Sequence, residues 1–198
     1  MKIESAGAAG GRPVPQVRRR ADHDLAACAG VLAAVHERDG YPVNWPDRPG
    51  DWLAPPSLLS AWVVELDGRI VGHIGLCRSD EDDVAPRLWS TRAGGRTDAT
   101  AVVCRLFVAP AARGRGIGAL LMAQAVGEAR ERGLHPVLDV VASDTAATAL
   151  YEQLGWELLA TVERQWEPHG TVTLRCYAAP TAPAWPPGRT SVTTSNEG

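Results

Sequence analysis

Apolar positions recur along this 198-residue chain in two rhythms, and the alternation between them lays out most of the elements. Leu25, Cys28, Leu32 and Val35 return every three to four residues, the period of a helix with one buried stripe. Asp22 or Asp24 can cap its start, and Gly40 stands where it should stop. The next stretch, YPVNWPDRPGDWLAPP, gathers helix breakers and reads as a loop or a broken helix. Trp62 to Leu66 and Arg69 to Cys77 read as two strands joined by Asp67-Gly68, a pair suited to a tight hairpin turn. A polar stretch runs from Arg78 to Thr100. Val102 to Val108 is then a strand, and Ile117 to Arg132 a helix with Ile117, Leu120, Leu121 and Ala125 inward and Gly133 at its end. Val137 to Ala142 is an apolar strand interrupted only by Asp139. Ala146 to Leu154 is a short helix closed by Gly155, and the strands Leu158 to Arg164 and Thr171 to Tyr177 make a last hairpin.

The strand–helix junction between Cys104 and Gly118, CRLFVAPAARGRGIG, carries the first chemistry. A helix N-terminus has unpaired N–H groups and a dipole that favours anions. Gly114, Gly116 and Gly118 lack a Cβ, so the backbone there can close on a phosphate, and Arg113 and Arg115 add forked cationic donors. No GxxxxGK[ST] is present, which excludes a nucleotide-hydrolase phosphate loop. Gly114, Gly116 and Ala119 do satisfy the dinucleotide pattern GxGxxG/A, but five residues separate that first glycine from the strand end at Val108. The acidic residue expected about twenty positions later also has no clean match.

The same letters, Arg113-Gly114-Arg115-Gly116-Ile117-Gly118, resemble the (Q/R)xxGx(G/A) signature of the GNAT superfamily of N-acetyltransferases. Leu106-Phe107-Val108-Ala109-Pro110 is similar to that family's coenzyme-binding strand. Asp144 to Trp156, DTAATALYEQLGW, is similar to its second motif, N-x-x-A-x-x-L-Y-x-x-L-G-F. The clear resemblance spans Val102 to Trp156. It implies a mixed α/β fold of three layers, with a mostly antiparallel sheet of six to seven strands flanked by helices.

The resemblance also implies acetyl-CoA as cofactor and an amine acceptor. Arg113, Gly114, Arg115, Gly116, Ile117 and Gly118 would cradle the pyrophosphate, and Leu106, Phe107 and Val108 would line the pantetheine arm. The Val108 N–H is where the family holds the thioester carbonyl, and Tyr151 is where it often places the acid that protonates the leaving sulfur. Asp144 replaces the family's usual Asn, so a cofactor contact and a helix cap are both open to it. The glutamate some relatives carry early on the central strand is Val102 here, and no base follows from the resemblance. Candidates among the residues are His73, Glu65, His36 and Asp98. Tyr41, Asn44, Trp45 and Trp52, with His73, are candidate walls of an acceptor pocket, and Asp80-Glu81-Asp82-Asp83 is a candidate attractor for a cationic amine.

A net charge of −3 gives no general basic character, which argues against nucleic-acid binding. With 45% hydrophobic residues, a single domain over 14–179 can bury a substantial core. Residues 1–13 and the Pro/Thr/Ser-rich 180–198 are expected to be disordered, and Arg18-Arg19-Arg20 to be solvated. Cys28, Cys77, Cys104 and Cys176 lie far apart with no C-x-x-C spacing, so free buried thiols are expected, with no metal. No run is long and apolar enough to cross a membrane, and a cytoplasmic location is the simplest expectation. The expected partner is a small-molecule or peptide amine, with a homodimer left open. Two other readings stay on the table: an acyl-CoA sensor without turnover, and a dinucleotide oxidoreductase.

Overall fold

The computed structural model describes residues 13–80, 82–94, 96–166 and 170–181. Strand β1 (Gln16–Arg19) leads through a single 3-10 turn into helix α1 (Leu25–Asp39), and the short α2 (Pro49–Leu53) follows. The hairpin strands are β2 (Leu58–Leu66) and β3 (Arg69–Arg78), then come α3 (Val84–Ala93) and β4 (Thr100–Val108). Helix α4 (Ile117–Glu131), β5 (His135–Val141), α5 (Thr145–Gln153), β6 (Glu157–Trp166) and β7 (Gly170–Ala178) complete the chain. The strands form one sheet in the order β1-β2-β3-β4-β5-β7-β6. Only β4 and β5 run parallel; every other neighbour is antiparallel. At the β2–β3 turn both Asp67 (φ 52°) and Gly68 (φ 70°) are left-handed, as a two-residue hairpin with the right twist requires.

The sheet is the middle of three layers. One face is covered by α4 and α5, where Ile117, Leu121, Met122, Ala125 and Tyr151 pack on Val64, Ile74, Leu76, Val103 and Leu138. On the other face, Cys28, Leu32 and Val35 of α1 pack with Leu53 on Val63 and Phe107. Ala85 of α3 sits against Val137, Cys176 and Ala178. The mixed, mostly antiparallel architecture matches the expectation, and a mostly antiparallel sheet does not fit the doubly wound dinucleotide fold.

Several expectations need correction. Arg18-Arg19-Arg20 is not merely solvated: it runs through the end of β1 to the residue after it, and all three arginines are engaged. Arg18 bonds Asp24 and Glu65, Arg19 pairs with Glu128, and Arg20 donates to the Leu53 carbonyl and to His73. Asp24 therefore does not cap α1; its carboxylate accepts from Arg18 and from the Ala21 N–H. Leu120 is 37% exposed, and Met122 takes the inward position instead. The polar stretch contains α3, whereas the breaker-rich segment is, as read, a loop broken by one short helix, α2. The arm 1–13 and tail 180–198 lie outside the described residues except at their inner ends.

Candidate active site

The parallel pair β4–β5 is joined only where Thr100, Ala101 and Val102 meet His135, Pro136 and Val137. Beyond that point β4 stays with β3 and β5 with β7, so the two strands part and leave facing edges unpaired. The cause is local. Arg105 takes a left-handed conformation (φ 53°), and the β3–β4 register slips beside it between His73 and Gly75. Such a bulge bends and twists its strand away from a neighbour. His73 holds it from beneath, with its Nδ1 2.9 Å from the Arg105 carbonyl and its Nε2 3.0 Å from an Arg20 nitrogen. Arg20 can only donate, so Nε2 accepts and Nδ1 carries the proton that bonds the carbonyl.

Past the bulge, the Ala109 N–H donates to the Val71 carbonyl at 2.8 Å. Alternation along an extended strand then turns the N–H groups of Val108 and Leu106 to the opposite edge, into the gap. Their side chains pack on the α4-side core, whereas Phe107 is buried on the α1 side and stacks on His73 at 5.1 Å.

At the open end of the gap the chain makes a single 3-10 turn, Pro110–Ala112, and then the elbow. Gly114 and Gly116 both have φ of 73°, which an L side chain would strain, and nothing lies within 4 Å of where a Cβ would stand. Gly116 begins α4 with no side-chain cap, so the first-turn N–H groups stay available. Gly118 serves a different purpose: a Cβ there would meet Leu150 at 3.0 Å, so its absence lets α4 lie close on α5. Arg113 reaches back to the Val108 carbonyl (Nε to O, 3.3 Å) and forks onto Asp39 at the end of α1. That guanidinium holds the Asp39 carboxyl below its ordinary range. Arg115 is exposed.

Two side chains flank the gap from opposite faces of the sheet. Tyr151 on α5 is 7% exposed among Trp156 and Tyr177, more deeply packed than Leu150 and Leu154 of the same helix. Burial, then the charges of Asp144 and Asp139, push its phenol well up. Asp139 lies on β5 just beyond the last paired residue, on the same face as Val137 and hence towards α3. Its side chain stays open on one side while surrounding protein desolvates it; that desolvation, with help from Asp83, raises its carboxyl above the ordinary value. Sequence reasoning missed this residue as a candidate, although its single charge in an apolar run was the visible signal.

Of the other candidates, Asp144 is the N-cap of α5, accepting from the Ala147 N–H at 2.9 Å. Tyr41 packs edge-on against Trp52 at 6.2 Å, and burial pushes its phenol well up. Trp45 is 41% exposed and leans on His36, and Asn44 is exposed beside it, so both lie at the outer rim. His73 is not a pocket wall: it has no exposure, and burial pushes its pKa down to about 4.

Comparison with known proteins agrees with this geometry. The acetyltransferase (GNAT) family matches residues 19–156. The chain is 34% identical over 158 residues to the uncharacterised N-acetyltransferase YjgM of Escherichia coli K12, covering 72% of this chain and 82% of that one. Among solved structures it resembles yncA of Salmonella typhimurium, solved with its cofactor acetyl-CoA (TM-score 0.63, 19% identity, 89% of this chain and 99% of that chain). It also resembles the Escherichia coli ribosomal-protein-S18-alanine N-acetyltransferase (TM-score 0.61, 19% identity, 84% and 94%). These last two likenesses concern the fold. With a family match across more than two thirds of its length, the chain belongs to the GNAT family and is an acetyl-CoA-dependent N-acetyltransferase.

Proposed function

We propose that the chain moves an acetyl group from acetyl-CoA to the primary amine of a small molecule or peptide, with both held at once. The observation that carries this reading is the gap between β4 and β5, closed at one end by a glycine elbow on the uncapped start of α4. An extended, amide-bearing chain fits beside β4 as an added strand, since the edge N–H groups of Leu106 and Val108 lack a partner strand there. A diphosphate fits the elbow, where backbone donors and Arg115 meet it and Arg113 must exchange Asp39 for phosphate oxygen. Acetyl-CoA supplies an activated thioester and a thiolate leaving group.

The chain's own groups do the rest. The Val108 N–H, aimed into the gap, stabilises negative charge on a carbonyl oxygen. Asp139, open at the gap and raised by desolvation, accepts the proton of an incoming ammonium, which frees the nucleophilic lone pair. Tyr151, on the opposite face and held protonated by burial, donates to the departing sulfur. Tyr41 and Trp52 wall the acceptor side, with Asn44 and Trp45 at the rim. His73 acts on Arg105 and the bulge rather than on substrate.

Thiol release across a panel of polyamines, aminoglycosides, amino acids and peptide N-termini tests the reaction; release with none of them points to a sensor without turnover. Replacing Arg113 and Arg115 by Ala should weaken acetyl-CoA binding by about 1–3 kcal/mol, measured by calorimetry. Unchanged affinity in the double variant would remove the elbow from the site.

A further inference from the structure

The two most closely approached cysteines lie on the acceptor side of the same bulge. Cys77 on β3 and Cys104 on β4 are free thiols whose sulfurs stand 3.0 Å apart, close enough for one to donate to the other. Arg105 lies over both, its Nη1 3.2 Å from the Cys104 sulfur and 3.6 Å from that of Cys77. The same guanidinium stacks on Trp52, 4.9 Å from the ring centroid. Its buried Nε has no hydrogen-bond partner among the described residues, and no carboxylate is paired with it there. A cation placed this way needs a negative counter-group, and a thiolate shared between the two sulfurs supplies one.

Room for the pair comes from Gly75, which stands opposite Cys104 in the ladder; a Cβ there would meet the Cys104 sulfur at 3.1 Å. Cys77 stands opposite Val102, so the two cysteines are diagonal rather than direct partners. We propose that Cys77 and Cys104 form a dithiol site for hydroperoxides, and that their oxidation to a disulfide weakens the acetyl-CoA site by dragging β4 at its bulge. The second half rests on the acetyl-CoA reading above; the first does not.

The chemistry closes on these groups and one peroxide. The thiolate is the attacking species, and the hydrogen bond from Cys104 places it on Cys77, so Cys77 meets the oxidant first. Its sulfur attacks one peroxide oxygen, the O–O bond breaks, and an alcohol leaves, or water when the oxidant is hydrogen peroxide. The product is a sulfenic acid. The sulfur of Cys104 then attacks that sulfenic sulfur, the S–O bond breaks, and water leaves with the Cys104 thiol proton. Two thiols lose two electrons and two protons, and one peroxide gains them. The hydrogen bond from Cys104, then Arg105, brings Cys77 down to about 6, which keeps the pair anionic at neutral pH. Cys28 and Cys176 are held up at about 11 by burial and should stay inert.

Closing the bond requires the sulfurs to approach by about 1 Å, to the usual ~2.05 Å. Diagonal neighbours on adjacent strands are normally farther apart than a relaxed disulfide prefers, so β4 must move towards β3 or twist. The moving residue adjoins Arg105, whose conformation sets the gap. Strained disulfides of this kind are readily reduced again.

The test uses the full, reduced chain treated with hydrogen peroxide and then freed of it. Intact mass should fall by two hydrogens, two of the four thiols should vanish in denaturant, and a peptide linking Cys77 to Cys104 should appear. Dithiothreitol should reverse all three. Acetyl-CoA affinity by calorimetry should drop several-fold in the oxidised form and return on reduction. Cys104→Ser should lose the mass change; the wild-type peptide map decides the matter even if that variant does not fold. Oxygen addition without a bridge, or a bridge to Cys28 or Cys176, overturns the dithiol site. A bridge that leaves acetyl-CoA affinity unchanged overturns the coupling. Failure of the reduced chain to bind acetyl-CoA would instead count against the proposed function, and the thiol readout would stand apart from it.

Discussion

Asp139 carries the sharpest residue-scale consequence. A base must be ionised to accept a proton, and burial with Asp83 raises this carboxyl. The acid limb of the pH–rate profile should therefore lie above the ordinary aspartate range. Asp139→Asn should lower kcat/KM by about 10²–10⁴-fold, with acetyl-CoA affinity unchanged by calorimetry. A variant with the wild-type profile would return the role of base to water or to another group. The sequence displayed Asp139 as the one charge in VLDVVA, yet its meaning depends on β4 parting from β5 just before it, which no local pattern reports. Cys77 and Cys104 were equally hidden: 27 positions separate them, and the β3–β4 register that unites them slips by a bulge. His73 shows the converse case, since a histidine in a strand offers no hint that Arg20 and the Arg105 carbonyl consume both its nitrogens.

At the scale of elements, legibility followed the strength of the apolar rhythm. The β2–β3 hairpin, β4, α4, β5, α5 and the last hairpin were readable because each has a clear period or a glycine stop. β1 was not, because QVRR lacks an apolar face; its arginines are held by Asp24, Glu65 and Glu128 from elsewhere in the chain. α3 escaped notice because Pro86 stands in its first turn, a place a helix tolerates. The elbow was readable because its glycines serve separable ends. Gly118→Ala puts a Cβ 3.0 Å from Leu150, so α4 and α5 must separate or Leu150 must turn. The expected cost is about 1–3 kcal/mol of overpacking, read as a lower midpoint in urea. Gly127→Ala, in the same helix with nothing within 4 Å, should instead be neutral or stabilising.

For the whole molecule, the acidic limit of stability should be set by the ion pairs that fasten β1. Arg18 holds Asp24 at about 2 instead of 3.8, and Arg19 with Arg132 holds Glu128 at about 2 instead of 4.5. Both folded values lie below the unfolded ones. Their contribution is therefore complete above about 4.5 and fades as pH falls towards 2. Asp24→Asn should cost about 1 kcal/mol at pH 7, allowing for the solvent around Arg18, and almost nothing near pH 2. Thermal melts at the two values check this; an equal loss at both would mean that the carboxylate's charge is irrelevant.

The short junction of β4 with β5 has one more consequence. Three residue pairs are all the ladder that joins the β1-β2-β3-β4 portion to the β5-β7-β6 portion, leaving α4 on one face and α3 on the other to span the seam. An occupant lying along that seam would supply the rungs that the protein omits. Catalytic cargo and structural mortar would then be one molecule, and the enzyme would be most firmly a single body only while loaded.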